Sequence, residues 1–214
     1  MRAWTKHPWV LRWAGLLMRG RHAGEQTLAC RRPALAVLPA TIELRGPGYA
    51  NGEAMSRSAA GDGVGENRSP ALMWEGVPPE ATHWLLLVED PDVPLARPIA
   101  HALCWGPAAI RQLPEGCLTP ATCPDGVTLG VNGLGNAQYD GPRPLPGHGP
   151  HRYVFQLFAL TAAPPVADND RLLRWLDGNA IATGCLIGVF QRDWRGRVIN
   201  PPAEARKGSG QSVL

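Results

Sequence analysis

The segment that most constrains this chain runs from His151 to Leu160, His-Arg-Tyr-Val-Phe-Gln-Leu-Phe-Ala-Leu. It is the clearest strand in the sequence. Side chains alternate between the two faces of a strand, which puts His151, Tyr153, Phe155 and Leu157 on one face. Arg152, Val154, Gln156 and Phe158 take the other. Two polar groups able to donate hydrogen bonds, an imidazole and a phenol, therefore sit side by side at the start of an apolar strand.

Further strands follow from similar patterns. Residues 41–46 alternate and suggest a first strand. Trp84 to Val88 and Ile99 to Trp105 are continuous apolar runs of the kind buried strands show, the second placing His101 beside Ile99 and Leu103 on one face. Cys185 to Phe190 reads as a last buried strand. A helix fits residues 169–183, with Asp168 or Asn169 as its cap and Leu172, Leu173, Leu176 and Ala180 as its inner stripe. Residues 47–68 and 106–150 read as connections, and the chain from Asp193 onward as a polar tail. With 25 glycines, 22 prolines and no collagen-like period, the composition suits many turns and an all-β architecture. A length of 214 residues suits one domain with an arm.

Charge separates the arm from the rest. Residues 1–32 carry seven Lys/Arg and one acid, Glu25, for a net +6, and the remainder is net −3. Within the arm Trp9, Trp13, Leu16 and Leu17 fall on one helical face, which predicts a short basic amphipathic helix. Such a helix either docks on its own domain or a second copy, or lies on a membrane surface. A homodimer is expected if a twin subunit covers that face. No segment approaches the roughly 20 apolar residues needed to span a bilayer. Arg12 and Trp13 interrupt the apolar run where a signal peptide would need it. Five scattered cysteines (Cys30, Cys104, Cys117, Cys123, Cys185) without a C-x-x-C pair suggest reduced thiols and a cytoplasmic setting, with one bridge, Cys117 to Cys123, left open.

Two loops carry the remaining chemistry. Asp90-Pro91-Asp92-Val93-Pro94 follows the strand ending at Val88, so Asp90 lies at a sheet rim, either as an Asx-type turn residue or as a pocket wall. Gly141 to Pro150 holds four prolines among residues 141–146 and 150, which stiffen the segment leading into His151. His101 reads on its own as a core histidine or as a pocket group, and His148 as a solvated loop residue. Asp90, His101, His148 and His151 would suffice for zinc on paper, but His148 and His151 are loop-borne and no cysteine joins them, so neither a metal nor a cofactor is expected. No G-x-S-x-G elbow occurs, Ser69 reads as a turn residue, and Gly61 to Gly65 follows no convincing strand. The basic residues gather in the arm rather than across a sheet with aromatics, which argues against nucleic acid.

Asp-Pro-Asp-x-Pro at 90–94, Gly-Pro-x-Pro at 141–144 leading to His-Arg-Tyr at 151–153, and Ser69-Pro70-Ala71-Leu72-Met73-Trp74 occur together and in this order. In these motifs the chain, from about Ala40 to Arg192, resembles the phosphatidylethanolamine-binding protein family in its bacterial Raf-kinase-inhibitor-like branch. The resemblance implies a mainly antiparallel, Greek-key-like β-sandwich with one or two peripheral helices. The expected organisation is then an N-terminal helical arm (1–39), the sandwich (40–192) and a tail (193–214). It also implies a ligand site formed by Asp90, His101, Pro142, Pro144, His151 and Tyr153. Asp92 and Arg152 are expected to be structural. The chain departs from the family pattern at Arg143, Leu145 and Ala102, where a cysteine, a proline and an aromatic are usual.

The implied function is non-enzymatic binding of a small anion such as a phosphate-bearing headgroup. Binding should tighten as a histidine gains charge below about pH 6.5. The alternatives are a regulatory protein-interaction module of the kinase- or protease-inhibitor type and, further off, a hydrolase or metal enzyme using the same groups.

Overall fold

The computed structural model describes residues 8–165 and 169–199. Among the described residues ten strands make two sheets. The smaller has the order β1 (Glu43–Arg45), β3 (Leu72–Glu75), β6 (Gln112–Leu113). The larger runs β10 (Val198–Ile199), β9 (Ala180–Arg192), β8 (Pro150–Leu160), β4 (His83–Asp90), β5 (Ile99–Pro107), β7 (Thr128–Leu129), with β2 (Glu53–Ala54) pairing in parallel with β9. Every other pairing is antiparallel. The helices are α1 (Pro8–Leu17), α2 (Pro33–Ala36) and α3 (Asn169–Asn179).

The long central strands are buried on both faces. Trp84, Leu86, Val88, Ala102, Cys104, Tyr153, Phe155 and Leu157 meet Ile42, Leu44, Leu72, Trp74 and Leu113 of the small sheet and its approach in one core. Leu85, Leu87, Leu103, Trp105, Val154 and Phe158 meet Leu172 and Leu176 of α3, together with Leu28, Ala29, Cys30 and Leu35, in a second. This explains why antiparallel strands here read as unbroken apolar runs rather than as an in/out alternation. The segment after α1 is therefore part of the fold: it covers the back of the sheet that the small sheet leaves bare.

Several sequence expectations need correction. The helix expected over 169–183 ends at Asn179, and β9 begins at Ala180 because Ala180, Ala182 and Thr183 pair with Leu160, Ala159 and Phe158. The expected cap at Asp168 lies outside the described residues, as does the Asn169 side chain. The polar stretch from Asp193 turns back, and Val198 and Ile199 pair with Arg192 and Gln191, so the large sheet continues past 192. Helix α1 docks on its own domain, but not by its apolar stripe: Trp9, Trp13, Leu16 and Leu17 point outward, while Gly15 is buried. The cysteines follow the expectation of reduced thiols: all five are free, and the Cys117–Cys123 bridge left open by the sequence is absent.

Candidate functional site

The site forms where β4, β5 and β8 end on the same side of the large sheet. Asp90 closes β4, with its backbone paired to Ile99. His151 and Tyr153 open β8 on the same face as Phe155 and Leu157, as alternation requires. His101 arrives by a less regular route. Val88 pairs with Ala102 and Glu89 with Ala100, so β5 carries one extra residue, His101, at a bulge. The bulge removes His101 from the face of Leu103 expected from strict alternation. Its ring instead meets Tyr153 edge-on, with centroids 5.0 Å apart.

At the centre lies a chain of three buried side chains. Asp90 Oδ2 is 2.7 Å from His151 Nδ1, and His151 Nε2 is 2.8 Å from His148 Nδ1. Asp90 Oδ1 accepts the Asp92 backbone N–H at 2.8 Å. With Asp90 ionised, His151 Nδ1–H donates to it, leaving Nε2 to accept from His148 Nδ1–H. The far nitrogen, His148 Nε2, is then an acceptor; it is buried, has no well-aligned hydrogen-bond partner, and has the Met18 and Arg21 carbonyls, themselves acceptors, close by. This is the opposite of the solvated loop residue expected at 148. The left-handed backbone at Gly147 (φ 77°) and Gly149 (φ 132°) folds the loop back so that His148 lies against His151.

Burial governs the electrostatics. It pushes the His101 imidazole below its ordinary value, against the opposing pull of Asp90 and Asp140. It does the same to His148, aided by the neighbouring His151 and His22, although the carbonyls of Met18 and Arg21 lie close by. Burial and the facing Asp90 carboxylate drive the Tyr153 phenol well up, so it stays a proton donor. On the other face of β8, Arg152 donates to both Asp92 oxygens at 2.8 and 2.9 Å and to Glu25 at 3.1 Å. Burial raises the Asp92 carboxyl, but the Arg152 hydrogen bonds and charge outweigh it and leave the group below its ordinary value.

A second layer escaped the sequence reading. His101 Nδ1–H donates to the Asp140 carbonyl at 2.5 Å. The Asp140 carboxylate accepts from Asn132 and Asn136 at 2.7 and 2.8 Å. Asn67 accepts Gly141 N–H at 2.7 Å and donates to the Tyr139 carbonyl at 3.0 Å, which anchors the start of the proline loop. The Gly-Val-Asn-Gly-Leu-Gly pattern at 130–135 marked only a turn; nothing in its spacing tied Asn132 to a histidine distant in sequence. Pro142 and Pro144 are buried on the loop, but their carbonyls accept from Gly61 N–H at 3.1 Å and Arg192 at 3.4 Å rather than joining the polar cluster. Arg192 is thereby a half-buried cation near Tyr153 that the sequence did not single out.

The cluster is roofed by the arm. Gly15 of α1 packs so closely on the proline loop that a Cβ there would lie 2.1 Å from the Pro146 carbonyl oxygen. The His22 ring meets His148 edge-on with centroids 5.5 Å apart, and its Nδ1 lies 3.2 Å from the Asp92 carbonyl. Ala23 and Gly24 donate backbone N–H groups to Val93 and Pro91 of the Asp-Pro-Asp loop at 2.9 and 3.0 Å. Asp90, His101, His148, His151 and Tyr153 are consequently at most 6 % exposed. The groups expected at an open mouth are together, but closed over. A groove of about 600 Å³ lies on the opposite face between α3 and the sheet, lined by Leu87, Leu103, Arg97 and Leu172 among others.

As for nucleophilic or metal chemistry, Ser69 is buried and its hydroxyl oxygen accepts the Leu118 N–H at 3.2 Å. Among the described residues no group of three His, Cys, Asp or Glu side chains is arranged to hold a metal ion.

Comparison with known proteins gives a consistent relationship. Residues 45–191, more than half of the chain, match the family model described as phosphatidylethanolamine-binding protein. A UPF0098 protein of Aquifex aeolicus is 31% identical over 159 residues, covering 72% of this chain and 91% of that protein. Another from Methanothermobacter thermautotrophicus is 36% identical over 132 residues, covering 60% of this chain and 85% of its relative. The crystal structure of Escherichia coli YbcL, described as a new member of the mammalian PEBP family, superposes with a TM-score of 0.65 at 30% identity, over 71% of this chain and 99% of that one.

Proposed function

The chain belongs to the phosphatidylethanolamine-binding protein family, and from that membership we propose that it is a non-enzymatic binder of a small anionic group, such as a phosphate-bearing headgroup. The observation that carries this reading is the buried Asp90–His151–His148 chain, at whose end His148 Nε2 has no well-aligned donor and lies near the Met18 and Arg21 carbonyls instead. An unmet buried polar atom costs about 1–3 kcal/mol, so the site has something to gain from a guest.

The hydrogen-bond order says which guest. In the neutral state His148 Nε2 can only accept. If it takes up a proton it becomes a charged donor, and an anionic oxygen then satisfies it more strongly than the neutral Met18 and Arg21 carbonyls do. The charge can be shared inward, because His151 relays it toward the Asp90 carboxylate. Asp90 thus acts from behind the imidazoles instead of facing the anion, which removes the repulsion between a carboxylate and a bound phosphate. The Tyr153 hydroxyl and the His101 ring complete the polar lining.

Binding on this reading takes up a proton and strengthens as pH falls. Because burial holds His148 and His101 below their ordinary value, both imidazoles are uncharged in the free site near neutral pH and the proton must arrive with the anion. Calorimetric titration with glycerophosphoethanolamine near pH 6 and pH 7.5 tests it. Tighter binding at the lower pH is expected, with a loss of roughly tenfold or more in His151→Asn, one charge-assisted hydrogen bond, and no turnover of p-nitrophenyl phosphate. Equal affinity at both values, or turnover of the ester, would overturn it.

A further inference from the structure

The outer face of α1 takes little part in closing the site, apart from Leu16, which reaches the Gly147 turn. The inner face does that work: Gly15 is buried against Pro146, and Leu11, Ala14 and Met18 are half-buried. The opposite face presents Trp9 and Trp13, 61% and 63% exposed, with Leu16 and Leu17 at 41% and 77%. Trp194, 52% exposed, lies beside it on the turn after β9. Arg12 of α1 donates to the Arg195 carbonyl at 3.1 Å, and the Arg12 and Arg195 guanidiniums lie 5.8 and 5.2 Å from the Trp194 ring centroid. The three indoles and two leucines thus belong to one side of the molecule. Both contributing segments fall outside the residues 45–191 that match the family model.

Charge selects the occupant. From residue 8 to residue 24 the chain carries Arg12, Arg19 and Arg21 and no acid, and Arg195 joins them from the turn. The acids beside them are engaged: Asp193 accepts from Arg197 at 2.7 and 2.8 Å, and Glu25 pairs with Arg31 and Arg152. A twofold contact through this face would set arginines against their own copies. A surface that accepts indoles and leucines while supplying negative charge fits it better. Tryptophan settles at the boundary between headgroups and acyl chains, and arginine is drawn to anionic lipid.

We propose that the outer face of α1, with Trp194 and Arg195, docks on an anionic lipid bilayer surface. The docking does not depend on what the histidine cluster holds. It would nonetheless set the roof of that cluster against the headgroup layer, because α1 is the roof.

The test is flotation of the full chain with vesicles of phosphatidylcholine, with and without phosphatidylglycerol. Expected is co-flotation with the anionic vesicles alone, weakening with added salt. A Trp13→Glu/Leu17→Glu double variant should lower vesicle affinity by about tenfold or more. If that variant does not fold, Arg19→Glu/Arg21→Glu at exposed positions must give the same loss. His151→Asn should float like the parent, which separates surface docking from headgroup capture in the cluster. Equal flotation with neutral vesicles, flotation unaffected by the outer-face variants, or a dimer in sedimentation that those variants abolish without any vesicle binding would overturn the proposal.

Discussion

At the scale of single residues the cluster is held by pairing inside a buried site. His151 is the link on which the others depend, since it donates to Asp90 on one side and accepts from His148 on the other. His151→Leu leaves a buried carboxylate short of a donor, and urea unfolding should show a loss of about 3–5 kcal/mol. Asp92 does a different job. Its lowered carboxyl means that the unfolded chain binds more protons than the native one as acid is added, so its contribution is present above about pH 4 and fades below it. Asp92→Asn should therefore lose about 1.5–3 kcal/mol at pH 7, and the unfolding curves of variant and parent should converge as the pH falls below about 4. Strand alternation made His151, Tyr153 and the outward turn of Arg152 legible from sequence alone. It failed for His101, because a bulge adds a residue without leaving a compositional mark, and for His148, because its burial depends on a helix more than a hundred residues away in sequence.

At the scale of elements the arm decides whether the cluster is open or closed. It is tied down at several points. The Ala29 and Cys30 backbone N–H groups donate to Glu89 Oε2 and Gln156 Oε1 at 2.8 and 2.7 Å, and Gln156 Nε2 donates to the same Glu89 oxygen at 2.7 Å. Those bonds hold the part of the arm that belongs to the second core. The roof itself depends on Gly15, where any side chain would collide with the Pro146 carbonyl. Gly15→Ala should thus lift α1 while sparing the sandwich. Expected are a change in global stability of about 1 kcal/mol or less and faster association of glycerophosphoethanolamine by stopped flow. Unchanged association would mean that α1 does not gate the cluster. The amphipathic pattern of residues 9–17 revealed the helix, but not which face docks. A glycine-bearing face can approach backbone more closely than a face of tryptophans, and periodicity weighs only hydrophobicity. The α3–β9 junction was hidden for a related reason: residues 180–183 suit either a helix or a strand, and only the partner β8 decides between them.

At the scale of the whole molecule, roofing buried histidines ties stability to pH. His101 and His148 titrate below their unfolded value in the native protein, so between the two values the unfolded chain holds more protons. Stability should then rise with pH up to about 6.5 and fall on acidification below it. A bound anion compensates the incoming charge, so saturating glycerophosphoethanolamine should flatten that acid slope in urea titrations. The overall architecture was legible because long apolar runs, turn-rich connections and ordered motifs all point to a sandwich. Its closure was not, since the arm lies outside those motifs. The most direct test of the central claim is the number of protons exchanged when glycerophosphoethanolamine binds near pH 6.5, read by calorimetry in buffers of different ionisation enthalpy. Its phosphodiester does not titrate there, so any proton comes to rest on the protein. Uptake approaching one proton, abolished in His148→Asn, is the predicted result; binding with no proton exchange, or exchange that survives that substitution, would contradict it.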